Sequence, residues 1–431
     1  MKRTVTVIII GLLCLSTFSL LARLAQGQIP YLADFVQLTT SPYYDVGPHW
    51  SPDGSQLTWY SYDSSYWYRR IWKMNADGSY KAQLTFGDVV DQVGDWSPDG
   101  TQLVFQRWGL RGIDASDLMV MDSDGSNVRQ ITSSGPSHQN PSWSRNGSRI
   151  AYDYNAGTLN PEVHVINPDG TEDIALSQNK QQPDWSPDDK HIVAAEAIGA
   201  GNDGIWIINT SSPYEARRIY AGASISFPQF TPDGKYITFL PPDGDLHLID
   251  IDGNYVAQLT SDGTLEHHEI SRDGRWIALD SQRSGNRDIW KARIIWPSIA
   301  MDVDIKPDTL NLQSKGKWIT AYIELPEGYD VADVNVSTTM LNETVPAELS
   351  PTTIEDDDND GIPDLMVKFD RAAVQQYILD NMPIEARFMT TTLTITGELN
   401  DGTLFQGSDT VKIILPINYW KIIYSEKLGI A

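Results

Sequence analysis

Short apolar runs recur along residues 45–294, each bracketed by turn-forming residues. The clearest unit starts at an aromatic anchor, Trp96, and passes through Ser97-Pro98-Asp99-Gly100 into Leu103-Val104-Phe105. Some twenty residues on come Leu118-Met119-Val120-Met121, then Asp124-Gly125, then Gln130-Ile131-Thr132. Equivalent anchors stand at Trp50, Trp143, Trp185, Phe230 and Ile270, so the steps along the chain are 46, 47, 42, 45 and 40 residues. Near-continuous apolarity over three or four residues suits strands covered on both faces. A period of roughly 40–45 residues with four strands per unit predicts the blades of a β-propeller.

The turns explain their own composition. They read Ser51-Pro52-Asp53-Gly54, Ser97-Pro98-Asp99-Gly100, Ser144-Arg145-Asn146-Gly147, Ser186-Pro187-Asp188-Asp189, Thr231-Pro232-Asp233-Gly234 and Ser271-Arg272-Asp273-Gly274. Proline pre-sets φ, Asp or Asn bonds its own backbone, and glycine takes the left-handed conformation that closes a hairpin. The repeated carboxylate is therefore expected to be a turn residue with no catalytic part. Outer strands end in Gln83-Leu84-Thr85, Gln130-Ile131-Thr132 and Gln258-Leu259-Thr260, whereas the sixth unit stops at Trp290-Lys291-Ala292-Arg293. The missing piece lies upstream as Gln37-Leu38-Thr39. The expected fold is all-β: a six-bladed propeller closed by an N-terminal strand, which leaves no terminal edge unpaired.

The pattern Pro-x-Trp-Ser-Pro-Asp-Gly, Ile-Trp-x-Met-Asn-x-Asp-Gly, Gln-Leu-Thr resembles the WD40-like repeats of the TolB propeller family over about residues 31–294. The resemblance implies an extracytoplasmic interaction platform. Residues 28–36 are too few for the helical domain that TolB carries ahead of its propeller.

Lys2-Arg3 precede an apolar run over residues 5–21, and Ala25-Gln26-Gly27 offers a small-residue cleavage site. Residues 1–27 thus read as a signal peptide, or as an uncleaved anchor, and the location as periplasmic, secreted or cell-surface. Cys14, the only cysteine, falls in that run, so the exported chain has no disulfide, as is ordinary for a prokaryotic protein. A net charge of −25, from 57 acidic and 32 basic residues, argues against nucleic acid and anionic lipid. The expected partner is a protein, glycan or other cell-envelope component bound by a monomer, with membrane contact only through an uncleaved anchor.

The propeller is expected over residues 28–297. Residues 298–431 change texture to short β-rich runs, with one helical candidate over 371–380, and read as a small antiparallel sandwich. Val303-Asp304-Ile305-Lys306-Pro307 with Leu310-Asn311-Leu312 resembles a module appended to bacterial and archaeal surface proteins. Within it, Asp356, Asp358, Asp360 and Asp364 take positions 1, 3, 5 and 9 of a calcium-type loop, with Gly361 at position 6 and the Ile362 carbonyl at position 7. Position 12 is Val367 where an EF-hand has Glu, so an oxygen from outside the loop must complete the shell. The expected cofactor is a structural calcium ion.

No Gly-x-Ser-x-Gly elbow, His-Glu-x-x-His pair or glycine-rich phosphate loop occurs, and no catalytic residue is assigned. The best ligand candidates precede the inner strands, around one mouth of the channel: Asp45, Asp91, His138, Gln139, Gln181, Glu266, His267 and His268. Some TolB-like relatives are metal-dependent sugar lyases, and that resemblance implies His138 with His267 or His268 as a metal pair. Tyr43, Tyr44, Tyr62, Tyr66, Trp67 and Tyr68 offer a protein or glycan contact surface. The leading expectation is an exported scaffold with a calcium-stabilised second module. The alternative is a carbohydrate-active enzyme, a TolB-like sugar lyase or hydrolase with a metal in the channel.

Overall fold

The computed structural model describes residues 29–417, apart from 110–114, 133–134, 159, 198–202, 327, 359, 383–385 and 401. The signal-peptide segment lies outside the described residues. The chain divides into a unit over Ile29–Ile295 and a second that begins at Trp296.

The first unit is built of four-stranded antiparallel sheets whose strands follow chain order. The first holds Asp45–Trp50, Gln56–Tyr62, Arg69–Asn75 and Ala82–Gln83, and the second Val90–Trp96, Gln102–Trp108, Ser116–Asp122 and Arg129–Gln130. A lone parallel bridge, Arg69 to Val90, joins those two. The next three start at His138–Trp143, Lys180–Trp185 and Ser226–Phe230. The last holds His268–Ile270, Trp276–Ser281 and Asp288–Ile295, and its fourth strand is Tyr31–Gln37 from the other end of the unit. The ring closure expected from the displaced Gln37-Leu38-Thr39 is thus what the chain does.

Its chemistry is the chemistry of the other seams. Thr85, Thr132 and Thr260 each accept, through Oγ1, the N–H of a third-strand residue: Ile71 at 3.0 Å, Leu118 at 2.9 Å and Leu246 at 2.9 Å. Thr39 accepts Ile289 N–H at 2.9 Å in the same way. The anchors fill the space between sheets. Trp96 packs with Val46, Tyr60 and Ile71 of the preceding sheet, and Trp50 with Leu38, Ala278 and Ile289 across the closing seam.

The turns work as their residue types require. Asp53 accepts from Ser51 Oγ at 2.6 Å and from Ser55 N–H at 3.0 Å, while Gly54 sits at φ 70°. The later Asp-Gly turns press on the neighbouring sheet: a Cβ on Gly170, at φ 87°, would meet the Ile131 carbonyl oxygen at 2.5 Å.

In the second unit, Asp302–Lys306, Trp318–Glu324, Asp364–Asp370 and Thr353–Glu355 form one sheet. The other is built on Val334–Leu341, Phe388–Leu399 and Leu404–Ile414. Ile305, Ile323 and Phe369 from the first share a core with Leu341, Ile395 and Phe405 from the second. The sandwich is not purely antiparallel. Ile299–Ala300 and Thr309–Asn311 both pair in parallel with Leu404–Ile414, because the chain leaves that sheet to build Asp302–Lys306 and then returns. The helix Arg371–Asn381 starts at Asp370, whose side chain accepts Ala373 N–H, and buries Val374 and Ile378 one turn apart.

Candidate functional site

The innermost strands carry bulges. Register shifts fall between Val46 and His49, Val93 and Asp95, Gln139 and Ser142, Gln181 and Asp184, and Ser226 and Gln229. In four of them a left-handed residue (Gly47, Asn140, Gln182 or Phe227) precedes a proline, which has no N–H to lose from the ladder. The preceding sheet supplies acceptors for the N–H groups so displaced. Gly47 N–H donates to Asp280 at 3.1 Å, Asn140 to Gln106 Oε1 at 2.7 Å, Gln182 to Asp153 at 2.6 Å and Phe227 to Gln182 Oε1 at 2.9 Å.

In five sheets the bulge lies just ahead of the residue before the anchor, whereas in the sixth Glu269 pairs with Ala278 in regular register. His49, Asp95, Ser142, Asp184, Gln229 and Glu269, one per sheet, line a cavity of about 110 Å³. Carboxylates occupy alternate sheets, and each accepts the anchor N–H of the next: Trp143 to Asp95 at 2.7 Å, Phe230 to Asp184 at 2.9 Å and Trp50 to Glu269 at 2.8 Å. His49 Nδ1 lies 3.1 Å from Glu269 Oε2.

Burial pushes Asp95 up to about 6, reinforced by the charge of Glu269 and opposed by His49. Burial also lifts Asp184 to about 6 against the pull of Arg145. Burial alone would lower His49, but the charge and hydrogen bond of Glu269 carry it above its ordinary value. Arg145 and Arg272 moderate this acidic ring. They occupy turn positions where Pro52, Pro98, Pro187 and Pro232 stand in the other units. Arg272 feels both Asp95 and Glu269 and reaches the Pro98 carbonyl at 3.5 Å.

Of the eight residues expected at the channel mouth, only His267 and His268 are in the cavity lining. Asp45 is buried at the closing seam, among Ser61, Thr39 and Trp59. Asp91 is clamped by Arg107 at 2.7 and 2.8 Å, and Glu266 pairs with Arg287 at 2.9 Å. His138 bonds the Ser116 carbonyl through Nδ1 at 3.2 Å and packs on Tyr152 and Tyr154. Gln139 and Gln181 lie in register opposite Asp153 and Ala195. For Asp45, Asp91, His138, Gln139 and Gln181 a bulge lies between these residues and those beside the anchors that line the cavity, whereas the strand after Glu266 has no register shift. The His138 pairing with His267 or His268 is accordingly not assembled. His267 Nδ1 instead meets Asp280 at 2.9 Å, and His268 Nε2 meets Thr238 Oγ1 at 2.8 Å.

In the second unit the acidic loop folds on itself. Asp356 accepts Asp360 N–H at 3.0 Å and Gly361 N–H at 3.1 Å, Asp360 accepts Ile362 N–H at 2.8 Å, and Asp364 accepts Asp357 N–H at 2.9 Å. Oxygens of Asp356, Asp358 and Asp364 lie within 4.8 Å of one another, as do those of Glu324, Asp358 and Asp360, so these groups could hold a metal ion. Glu324, at the end of Trp318–Glu324, is the one member of these groups that comes from outside the loop. Burial and the neighbouring carboxylates raise both Glu324 and Asp364.

On the first sheet, Tyr66 meets Tyr44, Tyr62 and Tyr43 at ring distances of 5.4, 6.0 and 6.3 Å. Tyr66 holds a left-handed φ of 58° in the turn after Gln56–Tyr62, and it and Trp67 are 48% and 57% exposed.

Residues 109–244 match the family described as the TolB beta propeller domain, PD40. An uncharacterized protein of Agrobacterium fabrum is 28% identical over 123 residues, which is 28% of this chain and 42% of that protein. The chain thus aligns with less than half the length of this curated relative. A putative TolB from Agrobacterium tumefaciens has 18% identity and a TM-score of 0.45, covering 62% of this chain and 98% of its own. An oligogalacturonate lyase from Vibrio parahaemolyticus has 11% identity and a TM-score of 0.43, covering 61% and 97%.

Proposed function

We propose that this chain, a TolB-type β-propeller joined to a β-sandwich, works outside the cytoplasm as a binding scaffold for a protein or glycan of the cell envelope. The exposed aromatic patch of the first sheet carries this reading. Bulky side chains seldom adopt a positive φ, yet Tyr66 does so in a turn that leaves Trp67 and its own ring open to solvent. Grouped exposed aromatics are the usual signature of a contact surface. The repeat chemistry is otherwise consumed by turns, seams and anchors. Export is supported by the signal-like residues 1–27. Among the described residues no helix is long and apolar enough to cross a membrane.

The second unit is proposed to hold a structural calcium ion on Asp356, Asp358, Asp360, Asp364 and the Ile362 carbonyl, completed by Glu324. An all-oxygen set suits calcium, with the millimolar affinity of extracellular modules.

The scaffold is tested by passing a detergent-solubilised envelope extract over the immobilised chain and over its Tyr66→Ala/Trp67→Ala variant. A component retained by the parent and lost by the variant, at unchanged melting temperature, is expected. Equal retention by both, or none by the parent, overturns the proposal.

A further inference from the structure

We infer that the axial cavity of the propeller is a binding site for a divalent transition-metal ion, held by His49, Asp95 and Glu269. The inference stands apart from the scaffold reading and assigns no reaction.

One donor atom from each of the three residues lies within 4.8 Å of the others. An ion with bonds of about 2.1 Å places adjacent donors roughly 3 Å apart and opposite donors roughly 4.2 Å apart, so a small inward movement would seat it. The three come from different sheets, and each directly precedes an anchor (Trp50, Trp96 or Ile270) buried between sheets. Such placement fixes ligand direction before an ion arrives.

The hydrogen bonds already present do not exhaust the donors. Glu269 Oε2 accepts Trp50 N–H, while Asp95 Oδ1 and Oδ2 accept Trp96 N–H and Trp143 N–H. Each carboxylate oxygen has two acceptor sites, so both Asp95 oxygens keep capacity, while at Glu269 Oε2 an ion would take the place of the proton shared with His49 Nδ1, 3.1 Å away. The N–H groups act as the outer support that orients metal ligands.

A second observation points the same way. His268 lines the same cavity, is only 2% exposed, and bonds Thr238 through Nε2. Its Nδ1 is buried with no partner among the described residues. Buried polar atoms are normally satisfied, and one left over in a polar cavity signals a missing ligand or ligand-bound water. A cavity of about 110 Å³ holds an ion and coordinated water. Imidazole with two carboxylates favours Mn²⁺, Fe²⁺ or Zn²⁺ over calcium, which prefers oxygen alone. The ion would therefore differ in kind from one in the acidic loop of the second unit.

The test uses the full chain, stripped with EDTA and titrated with MnCl₂ by calorimetry, with bound Mn²⁺ read by pulsed electron paramagnetic resonance. Glu269→Gln keeps an oxygen for Trp50 N–H while losing the charge, and His49→Gln removes the nitrogen donor. One Mn²⁺ per propeller with nitrogen coupling is expected. Affinity should fall at least about tenfold in either variant, and the coupling should diminish in His49→Gln. Asp358→Ala, in the other unit, should leave this site intact. Absence of Mn²⁺ beyond what Asp358→Ala abolishes, absence of nitrogen coupling in the parent, or uptake unchanged in both axial variants overturns the inference. The parent spectrum decides the matter even if a variant fails to fold.

Discussion

Glu269 accepts the backbone N–H of Trp50 at 2.8 Å across the seam where the last sheet meets the first. The same oxygen pairs with His49 Nδ1 at 3.1 Å, so one carboxylate secures both the ring and its axis. Glu269→Ala orphans a buried N–H, at a cost of about 1–3 kcal/mol. Glu269→Gln keeps an acceptor and should lose clearly less. Chemical denaturation of the two variants beside the parent measures the difference, and equal losses would show that charge, not the bond to Trp50, matters.

Thr39 should behave as a closing clasp. Its Oγ1 accepts Ile289 N–H at 2.9 Å, the role Thr85 plays toward Ile71 within the first sheet. Thr39→Val and Thr85→Val should each cost about 1–3 kcal/mol through one unsatisfied N–H. Only Thr39→Val should raise amide exchange along Tyr31–Gln37, because only that strand is tied to its sheet from a distant part of the chain. Exchange of Val36 and Leu38 amides, followed by mass spectrometry, reads this out.

What was legible in the chain and what was not divides along range. Turns, anchors and the Gln-Leu-Thr endings announce themselves because each carries its chemistry within a few residues. The axial ring does not, because five of its six members follow bulges in backbone register. Once bulges are allowed for, a signal is visible: polar residues precede all six anchors, and Arg145 and Arg272 replace turn prolines beneath them. Reading polar residues at the strand starts instead put Asp45, Asp91 and His138 where the structure does not. Glu324 was illegible for another reason: it reaches the acidic loop from a strand more than thirty residues earlier.

Asp153 predicts a pH dependence. It is buried, and burial pushes it up to about 7 although Asn140 and Gln182 N–H stabilise its charge. An unfolded Asp titrates near 3.9, so between about pH 4 and 7 the folded chain binds more protons here than the unfolded one. Stability from this group therefore falls as pH rises through that window. Asp153→Asn removes the effect, so the variant's melting temperature should gain on the parent's from pH 5 to 8 and then level off. Asp95 and Asp184 act with the same sign but are present in both proteins, so the difference isolates Asp153. A difference that is flat with pH would count against this account.

Calcium should stabilise the second unit through Glu324 as well as through the loop. Without a cation, Glu324, Asp356, Asp358, Asp360 and Asp364 face one another at close range, and mutual repulsion opposes the fold. At a dissociation constant of about 1 mM, 10 mM calcium adds about 1.4 kcal/mol to the folded state. The melting transition of this unit should then rise by about 5 °C. Magnesium, which demands a tighter octahedral shell and dehydrates reluctantly, should do much less. Glu324→Gln removes one charged ligand and some of the repulsion together, so two effects should appear at once. The calcium-free variant should melt no lower than the calcium-free parent, while its rise on adding calcium should shrink by half or more. Asp358→Ala should abolish the rise altogether, since Asp358 belongs to both oxygen groups. If the parent melts at one temperature with calcium and with EGTA, the loop is a solvated acidic turn and Glu324 only its neighbour.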